Sequence, residues 1–88
     1  MTDYKELIAS KIARITEINK DEIKNYIEVP QNTEMGDYAF PCFRLAKELK
    51  KSPMQIAEDI KAQFEIDEYI DIVEVVKGYL NIFIKKEA

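Results

Sequence analysis

The chain has no histidine, one cysteine and only two glycines among its 88 residues. Without histidine it lacks the commonest acid–base side chain and the commonest metal ligand, so nucleophile–histidine pairs and histidine-ligated zinc sites are excluded. The two glycines, Gly36 and Gly78, are too far apart to form a glycine-rich phosphate loop. No pattern places two carboxylates across a cleft. We therefore expect no catalytic residue, no metal site and no cofactor in this chain.

A single cysteine, Cys42, excludes an intramolecular disulfide and a cysteine metal cluster. We expect it to be a small buried core residue, as free cysteines usually are. No run approaches the roughly 20 apolar residues of a membrane helix. The N-terminal sequence MTDYKE lacks the basic and apolar regions of a signal peptide. These absences predict a cytoplasmic protein with no membrane partner.

Hydrophobic residues make up 47% of the chain and charged residues 34%, which is enough to fill a core and argues against disorder. The length predicts one domain, residues 1–88. The net charge of −4 is uneven, because residues 1–53 carry nine basic and nine acidic side chains and residues 54–88 supply the whole excess. An acidic domain of this kind would bind nucleic acid only through a local patch.

Apolar spacing and capping residues predict three helices. The first covers about residues 3–18, with Asp3 as its N-cap. The second begins at Pro41, which suits a first helical turn because its missing N–H is not needed there. The third begins after Ser52, which caps it, and Gln55 is placed to complete a capping box.

β-Branched and aromatic runs predict four strands. A short edge strand is expected over residues 24–30 and a second over residues 38–40. The run IDIVEVVKGYLNIFIK predicts a hairpin that turns at Lys77 and Gly78. The order α-β-β-α(α)-β-β indicates an α+β fold, a two-layer sandwich with helices on one face of an antiparallel sheet.

Four basic side chains form the first candidate binding feature, which we call the positive cluster: Arg44, Lys47, Lys50 and Lys51. On a helix that begins at Pro41, residues 44, 47 and 51 share one face, with residue 50 beside them. They are candidates for contacts with nucleic-acid phosphates. A solvated helix surface whose charge complements the helix dipole explains the same pattern.

The last strand is the second candidate feature. Its alternating aliphatic residues are assigned to the core: Leu80, Ile82 and Ile84. Tyr79, Asn81 and Phe83 then project from the opposite face. An aromatic ring beside an amide could stack on one unpaired base and hydrogen-bond its edge. Alternatively, the two rings cover the rim of the core or dock against a neighbouring domain.

The motifs GDYAF, PCFRLAKELKKSP and VEVVKGYLNIFI, in this order, resemble the N-terminal additional domain of arginyl-tRNA synthetase. The P-x-N-x-x-x-GD-[FY] loop of that family is matched from Pro30 to Tyr38. Its LAK helix is matched at residues 45–47, and its glycine–aromatic–x–Asn strand at residues 78–81. The resemblance covers about residues 1–86.

The resemblance implies a domain that binds the D-loop corner of tRNA(Arg) and performs no chemistry. Tyr79 would stack on a base and Asn81 would reach its edge, beside Lys77 and Gly78 of the turn. The residue three positions before the aromatic, which is polar in some members, is Val76 in this sequence. The loop residues of the GD-[FY] motif would be structural: Gly36, Asp37 and Tyr38.

The resemblance also implies that the chain is a fragment of a larger ligase, since the HIGH-type catalytic signature requires histidine. ATP and magnesium would then be bound only by the absent catalytic domain. The expected partners are tRNA(Arg) and that catalytic domain, in a monomeric enzyme. The alternative is a protein-interaction or interdomain-packing module with no RNA contact of its own.

Overall fold

The computed structural model describes residues 2–86, and over that range helices cover one face of a three-stranded antiparallel sheet. This arrangement confirms the α+β fold class predicted from the sequence. The helices are α1 (Tyr4–Thr16), α2 (Lys20–Tyr26), α3 (Ala46–Leu49) and α4 (Pro53–Gln63), and the strands are β1 (Tyr38–Pro41), β2 (Ile70–Val76) and β3 (Tyr79–Ile84). The strand order is β1-β3-β2, so the last strand in the sequence is central in the sheet.

The hydrophobic core lies between the helices and the inner face of the sheet. Ile12 of α1 and Ile60 of α4 pack in the same buried cluster as Leu80 and Ile82 of β3. Cys42 is fully buried in this cluster, and burial raises the pKa of its thiol to about 12. The thiol therefore stays neutral at physiological pH, and the sequence-based assignment of this cysteine to the core is confirmed.

Helix α1 begins where its capping residue predicts. The Asp3 side chain accepts a hydrogen bond from the N–H of Glu6 at 3.1 Å. Both carboxylates also pair with Lys24 of α2, at 3.0 and 3.1 Å, which holds the two helices together at their surface. The helix ends at Thr16, earlier than the predicted residue 18, because Glu17 adopts a left-handed conformation with φ 62°.

The edge strand predicted over residues 24–30 is wrong, because α2 occupies the first part of that segment. Asn19 caps this helix, and its side-chain oxygen accepts hydrogen bonds from two N–H groups of the first turn. Ile23 and Ile27 are four residues apart and both are buried in the core. Their helical spacing, and not the β propensity of the neighbouring residues, decides the local structure.

Within the segment predicted as the first strand, the structure has a single isolated β-bridge. The backbones of Glu28 and Ala39 exchange two hydrogen bonds, of 2.8 and 2.9 Å, along the outer edge of β1. Pro30 follows and has no N–H with which to continue the ladder. The sheet within residues 2–86 therefore has three strands instead of the four predicted.

The helix predicted from Pro41 is shorter and less regular than expected. Pro41 itself ends β1, where it pairs with Tyr79, and residues Cys42–Leu45 then form a 3-10 turn before α3. Lys50 adopts a left-handed conformation with φ 55° and ends α3. Lys51 therefore lies outside the helix, and the single helical face expected for the positive cluster is wrong.

The hairpin between β2 and β3 turns at the predicted residues. Lys77 and Gly78 both have positive φ, 50° and 80°, which is the requirement of a type I′ turn. The turn is held against the rest of the domain, because the N–H of Cys42 donates to the carbonyl oxygen of Gly78 at 3.1 Å. A side chain at this glycine would place its Cβ 3.1 Å from the Cβ of Pro53.

Helix α4 also begins as predicted. Ser52 Oγ accepts a hydrogen bond from the N–H of Gln55 at 3.2 Å, and Pro53 is the first helical residue. The Gln55 side chain does not complete the capping box. Its Nε2 donates instead to Asp59 Oδ1 at 2.8 Å.

Ser52→Ala is expected to lower the free energy of unfolding by about 0.5–2 kcal/mol, because it removes the N-cap hydrogen bond of α4. Urea titration of the purified chain measures this loss. Ser10→Ala is the matched control, since Ser10 is an exposed residue inside α1. Equal effects of the two substitutions would show that the cap does not stabilise α4.

Candidate nucleic-acid interface

The face of the sheet that is turned away from the helices, which we call the outer face, is centred on β3. Leu80 and Ile82 are fully buried in the core, so the residues that alternate with them project from the outer face, as the sequence predicted. The register places these side chains together on the outer face: Tyr79 beside Val76, Asn81 between Glu74 and Ala39, and Phe83 beside Ile72.

The amide of Asn81 occupies the middle of the outer face and is almost completely buried. The residue is 2% exposed, whereas the rings of Tyr79 and Phe83 on either side of it are half-buried. Alternation gives the face on which Asn81 lies but not its burial. The residues paired with it on the neighbouring strands are Ala39, which is itself buried, and Glu74, which is exposed.

No group in residues 2–86 donates a hydrogen bond to the Oδ1 atom of Asn81. A buried acceptor without a donor lowers stability by about 1–3 kcal/mol, so such atoms are uncommon in native structures. Glu74, directly opposite on β2, carries a carboxylate and can only accept. The centre of the outer face is therefore rich in acceptors, and a ligand that carries N–H groups would pair with the amide oxygen once the side chains around it move apart.

The Gly36-Asp37-Tyr38 motif fixes the position of β3. Gly36 has φ 99°, and a Cβ there would lie 3.0 Å from the carbonyl oxygen of Ile82. The N–H of Asp37 donates to that same oxygen at 2.9 Å, and the N–H of Ile84 donates to Asp37 Oδ2 at 2.7 Å. Tyr38 packs partly against the core. The motif thus contributes structure to the strand that carries Tyr79 and Asn81.

Arg44, a member of the positive cluster, lies beside two aromatic rings of the chain. Its guanidinium group lies 5.5 Å from the ring of Tyr26 and 5.3 Å from that of Phe43. Tyr26 Oη donates to Glu22 Oε2 at 3.2 Å, and a hydrogen bond between the Glu22 and Glu48 carboxyl groups raises the pKa of Glu48. Arg44 therefore lies in acidic surroundings, which weakens it as a phosphate ligand.

The three lysines of the cluster differ in their partners. Lys51 Nζ forms an ion pair with Asp59 Oδ2 at 2.8 Å, and this hydrogen bond lowers the pKa of Asp59. Within residues 2–86, Lys47 and Lys50 form no ion pair, and both are exposed. They are the two members most available to an external anion.

The described residues contain no group of three or more histidine, cysteine, aspartate or glutamate side chains arranged to hold a metal ion. Nor is any helix between residues 2 and 86 both long and apolar enough to cross a membrane.

Comparison with solved structures connects this fold to a particular class of enzyme. The arginyl-tRNA synthetase of Thermus thermophilus matches the chain with a TM-score of 0.75 and 28% sequence identity. The match covers 94% of this chain and 14% of that synthetase. The architecture described above is thus found as one part of a much longer protein.

Sequence comparisons give the same result. The arginine–tRNA ligase of Clostridium botulinum strain Hall is 46% identical over 84 residues, which are 96% of this chain and 15% of that ligase. The ligase of Alkaliphilus metalliredigens is 41% identical over 89 aligned positions, covering 100% of this chain and 16% of that protein. The chain spans about 15% of the length of the curated relatives it matches.

The family model of the arginyl tRNA synthetase N terminal domain matches residues 2–84. Because this match covers nearly the whole sequence, the chain belongs to that family, and the resemblance drawn from its motifs is confirmed.

Proposed function

We propose that this chain is the non-catalytic tRNA-binding domain of an arginine–tRNA ligase and that its outer face contacts the D-loop corner of tRNA(Arg). One observation carries the proposal. The buried Oδ1 of Asn81 has no donor in residues 2–86, and Asn81 lies between two half-buried aromatic rings on the face of the sheet that is turned away from the helices. An unpaired base supplies both the flat surface that the rings can stack on and the N–H groups that the amide oxygen can accept.

In this proposal Tyr79 provides the stacking surface and Asn81 provides the selectivity. Stacking tolerates every base, because each base has a π-face. The amide discriminates between bases, since its oxygen accepts and its nitrogen donates. Tyr79 projects from the same face two residues before Asn81, and in this proposal its ring turns onto the bound base and uncovers the amide. Val76 replaces the polar residue found in some family members and contributes only apolar contact.

The remaining chemistry belongs to the rest of the enzyme in this proposal. ATP, magnesium and arginine would bind a catalytic domain outside this chain, in a monomeric cytoplasmic ligase. The domain described here would add affinity for tRNA(Arg) at a distance from the acceptor end. We expect no arginine-dependent ATP–pyrophosphate exchange from the 88-residue chain alone.

Asn81→Ala tests the assignment of selectivity. The variant is expected to discriminate less between normal tRNA(Arg) and tRNA(Arg) altered at the bulged D-loop nucleotide, because the hydrogen-bonding amide is gone while the stacking ring remains. Binding of both tRNAs to the full-length ligase is measured by fluorescence titration, for wild type and variant. Asn81→Asp is the matched control of similar size, and its added negative charge should weaken both complexes.

The comparison also has a result that contradicts the proposal. If Asn81→Ala loses as much affinity for tRNA lacking that nucleotide as for normal tRNA, the residue does not contact the base. The outer face would then be a packing surface.

The positive cluster is proposed to add a general attraction for the tRNA backbone. Lys47→Ala should flatten the log–log salt dependence of tRNA binding by about one unit, because one phosphate contact is lost. Lys51→Ala should flatten it less, since Lys51 is already paired with Asp59. Lys61→Ala, at an exposed position of α4, is the control. An unchanged slope in a Lys47→Ala, Lys50→Ala double variant would show that the cluster is a solvated surface.

A protein-binding role for the outer face is the second candidate, and one observation favours it. Ile72 is 49% exposed and Val76 is 40% exposed, and both lie next to the aromatic rings of β3. Together they extend the apolar surface beyond the area that a single base covers. In that case the catalytic domain of the same ligase would cover this face, and the tRNA experiments above would show no effect.

A further inference from the structure

We propose that the outer face holds a second nucleotide of the same single-stranded RNA, with its base on Phe83 and its phosphate at Lys85. The inference rests on the proposed function and extends it from one base to two. It concerns the end of β3 opposite to Tyr79, for which the family motifs quoted above name no residue.

The first argument is geometric. Phe83 lies two residues beyond Asn81 on the same strand and projects from the same face, half-buried beside Ile72. Phe83 lies four positions beyond Tyr79, which corresponds to about 13 Å at roughly 3.3 Å per residue. Two bases can therefore occupy the two rings without stacking on each other, and Asn81 lies between them.

The second argument is the charge beside Phe83. Lys85 and Lys86 follow it, both exposed and without an ion pair in residues 2–86. With Phe83 they line an open cavity of about 710 Å³, a size typical of small-ligand sites. Asp37 and Asp71 also line it, so two lysines and two carboxylates share the cavity. Asp37 Oδ2 already accepts the hydrogen bond from Ile84, whereas neither lysine has an ion-pair partner in residues 2–86.

The order of groups favours RNA over a peptide as the occupant. Every second residue from 77 to 85 carries one of these groups, with a cation at each end, two aromatic rings inside them and an amide at the centre: Lys77, Tyr79, Asn81, Phe83 and Lys85. Glu74 places a negative charge opposite the central amide, so phosphates are disfavoured at the middle of the face and favoured at its two ends. Bases at the centre with phosphates near Lys77 and Lys85 satisfy both conditions.

The test uses the full-length ligase and a set of tRNA(Arg) transcripts, each with one abasic nucleotide in the D-loop. Wild type should lose affinity at two positions, by roughly 5- to 150-fold at each. Phe83→Leu keeps the apolar volume and removes the ring, so it should become insensitive to one of these positions. Phe83→Tyr keeps the ring and should bind like wild type. Tyr79→Ala should become insensitive to the other position.

Salt dependence tests the phosphate contact independently. Lys85→Ala should flatten the log–log salt dependence by about 0.7 for one single-strand contact, whereas Lys61→Ala on α4 should not change it. Thermal unfolding of each variant establishes that the fold is intact.

The outcomes separate this inference from the proposed function. If Tyr79→Ala abolishes the sensitivity at one position while Phe83→Leu retains wild-type sensitivity everywhere, the second subsite is overturned and the proposed function stands. If wild type is indifferent to every abasic position, both are overturned. A Lys85→Ala slope equal to wild type overturns the phosphate assignment.

Discussion

A Gly36→Ala variant is expected to lose about 3 kcal/mol of folding free energy and to melt about 12–24 °C below wild type. Gly36 has φ 99° and ψ 173°, a combination essentially restricted to glycine. The added Cβ would also lie 3.0 and 3.1 Å from the carbonyl oxygen and the amide nitrogen of Ile82. These are backbone atoms of the central strand and cannot move without disturbing its ladders. Urea and thermal unfolding measure the loss.

Gly78→Ala is the matched control for this prediction. Gly78 also has a positive φ, 80°, but its added Cβ meets the side-chain Cβ of Pro53 instead of backbone. The Cβ at position 78 has this one contact at 3.1 Å and its next neighbours at 3.8 and 3.9 Å, whereas the Cβ at position 36 meets three backbone atoms within 3.2 Å. We therefore expect a smaller loss from Gly78→Ala. Equal losses would show that the approach to Ile82 is not what requires a glycine at position 36.

The parts of the fold that the sequence predicts well are those with a local chemical signal. Ser52 followed by proline predicts the start of α4 because both features act within one helical turn. Lys77-Gly78 predicts the hairpin turn for the same reason, since a type I′ turn needs two adjacent residues of positive φ. The alternation of β3 then assigns its two faces.

The wrong predictions concern segments whose local preferences disagree with their packing. Residues 24–30 contain β-forming side chains, but this segment begins within α2. Ile23 lies inside that helix and Ile27 caps its C-terminus, and this arrangement lets both side chains reach the core. Similarly, the sequence predicts Lys50 inside a helix, because nothing in its side chain indicates the left-handed conformation that it adopts. The conformations of both segments depend on tertiary contacts, which secondary-structure propensities do not include.

The sequence predicts which residues form the candidate site, but it does not predict how buried they are or what surrounds them. Tyr79 and Asn81 follow from strand alternation and from the family motif, but neither of these signals indicates that the amide is almost completely buried. The role of Asp37 is likewise non-local, because it accepts from Ile84, which is 47 positions away. No single stretch of sequence indicates the burial of the amide or the hydrogen bond between Ile84 and Asp37.

Tyr79→Ala is expected to reduce the affinity of the full-length ligase for tRNA(Arg) by roughly 5- to 150-fold, the range that corresponds to losing one base–aromatic stack. Tyr79 is outside the hydrophobic core of the described chain, so its removal should leave the melting temperature close to that of wild type. Gly78 precedes it and has no side chain to obstruct a base that approaches the ring. Fluorescence titration at fixed ionic strength measures the change.

Two controls separate stacking from other roles of this residue. Tyr79→Phe keeps the aromatic ring and loses only the hydroxyl, so it should bind tRNA(Arg) nearly as well as wild type. The tRNA that lacks the bulged D-loop nucleotide offers no base to stack, so Tyr79→Ala and wild type should bind it equally. If Tyr79→Ala weakens that complex as strongly as the normal one, the ring supports the surface of the sheet or a neighbouring domain. The exposed Ile72 and Val76 would then belong to the same protein-binding patch.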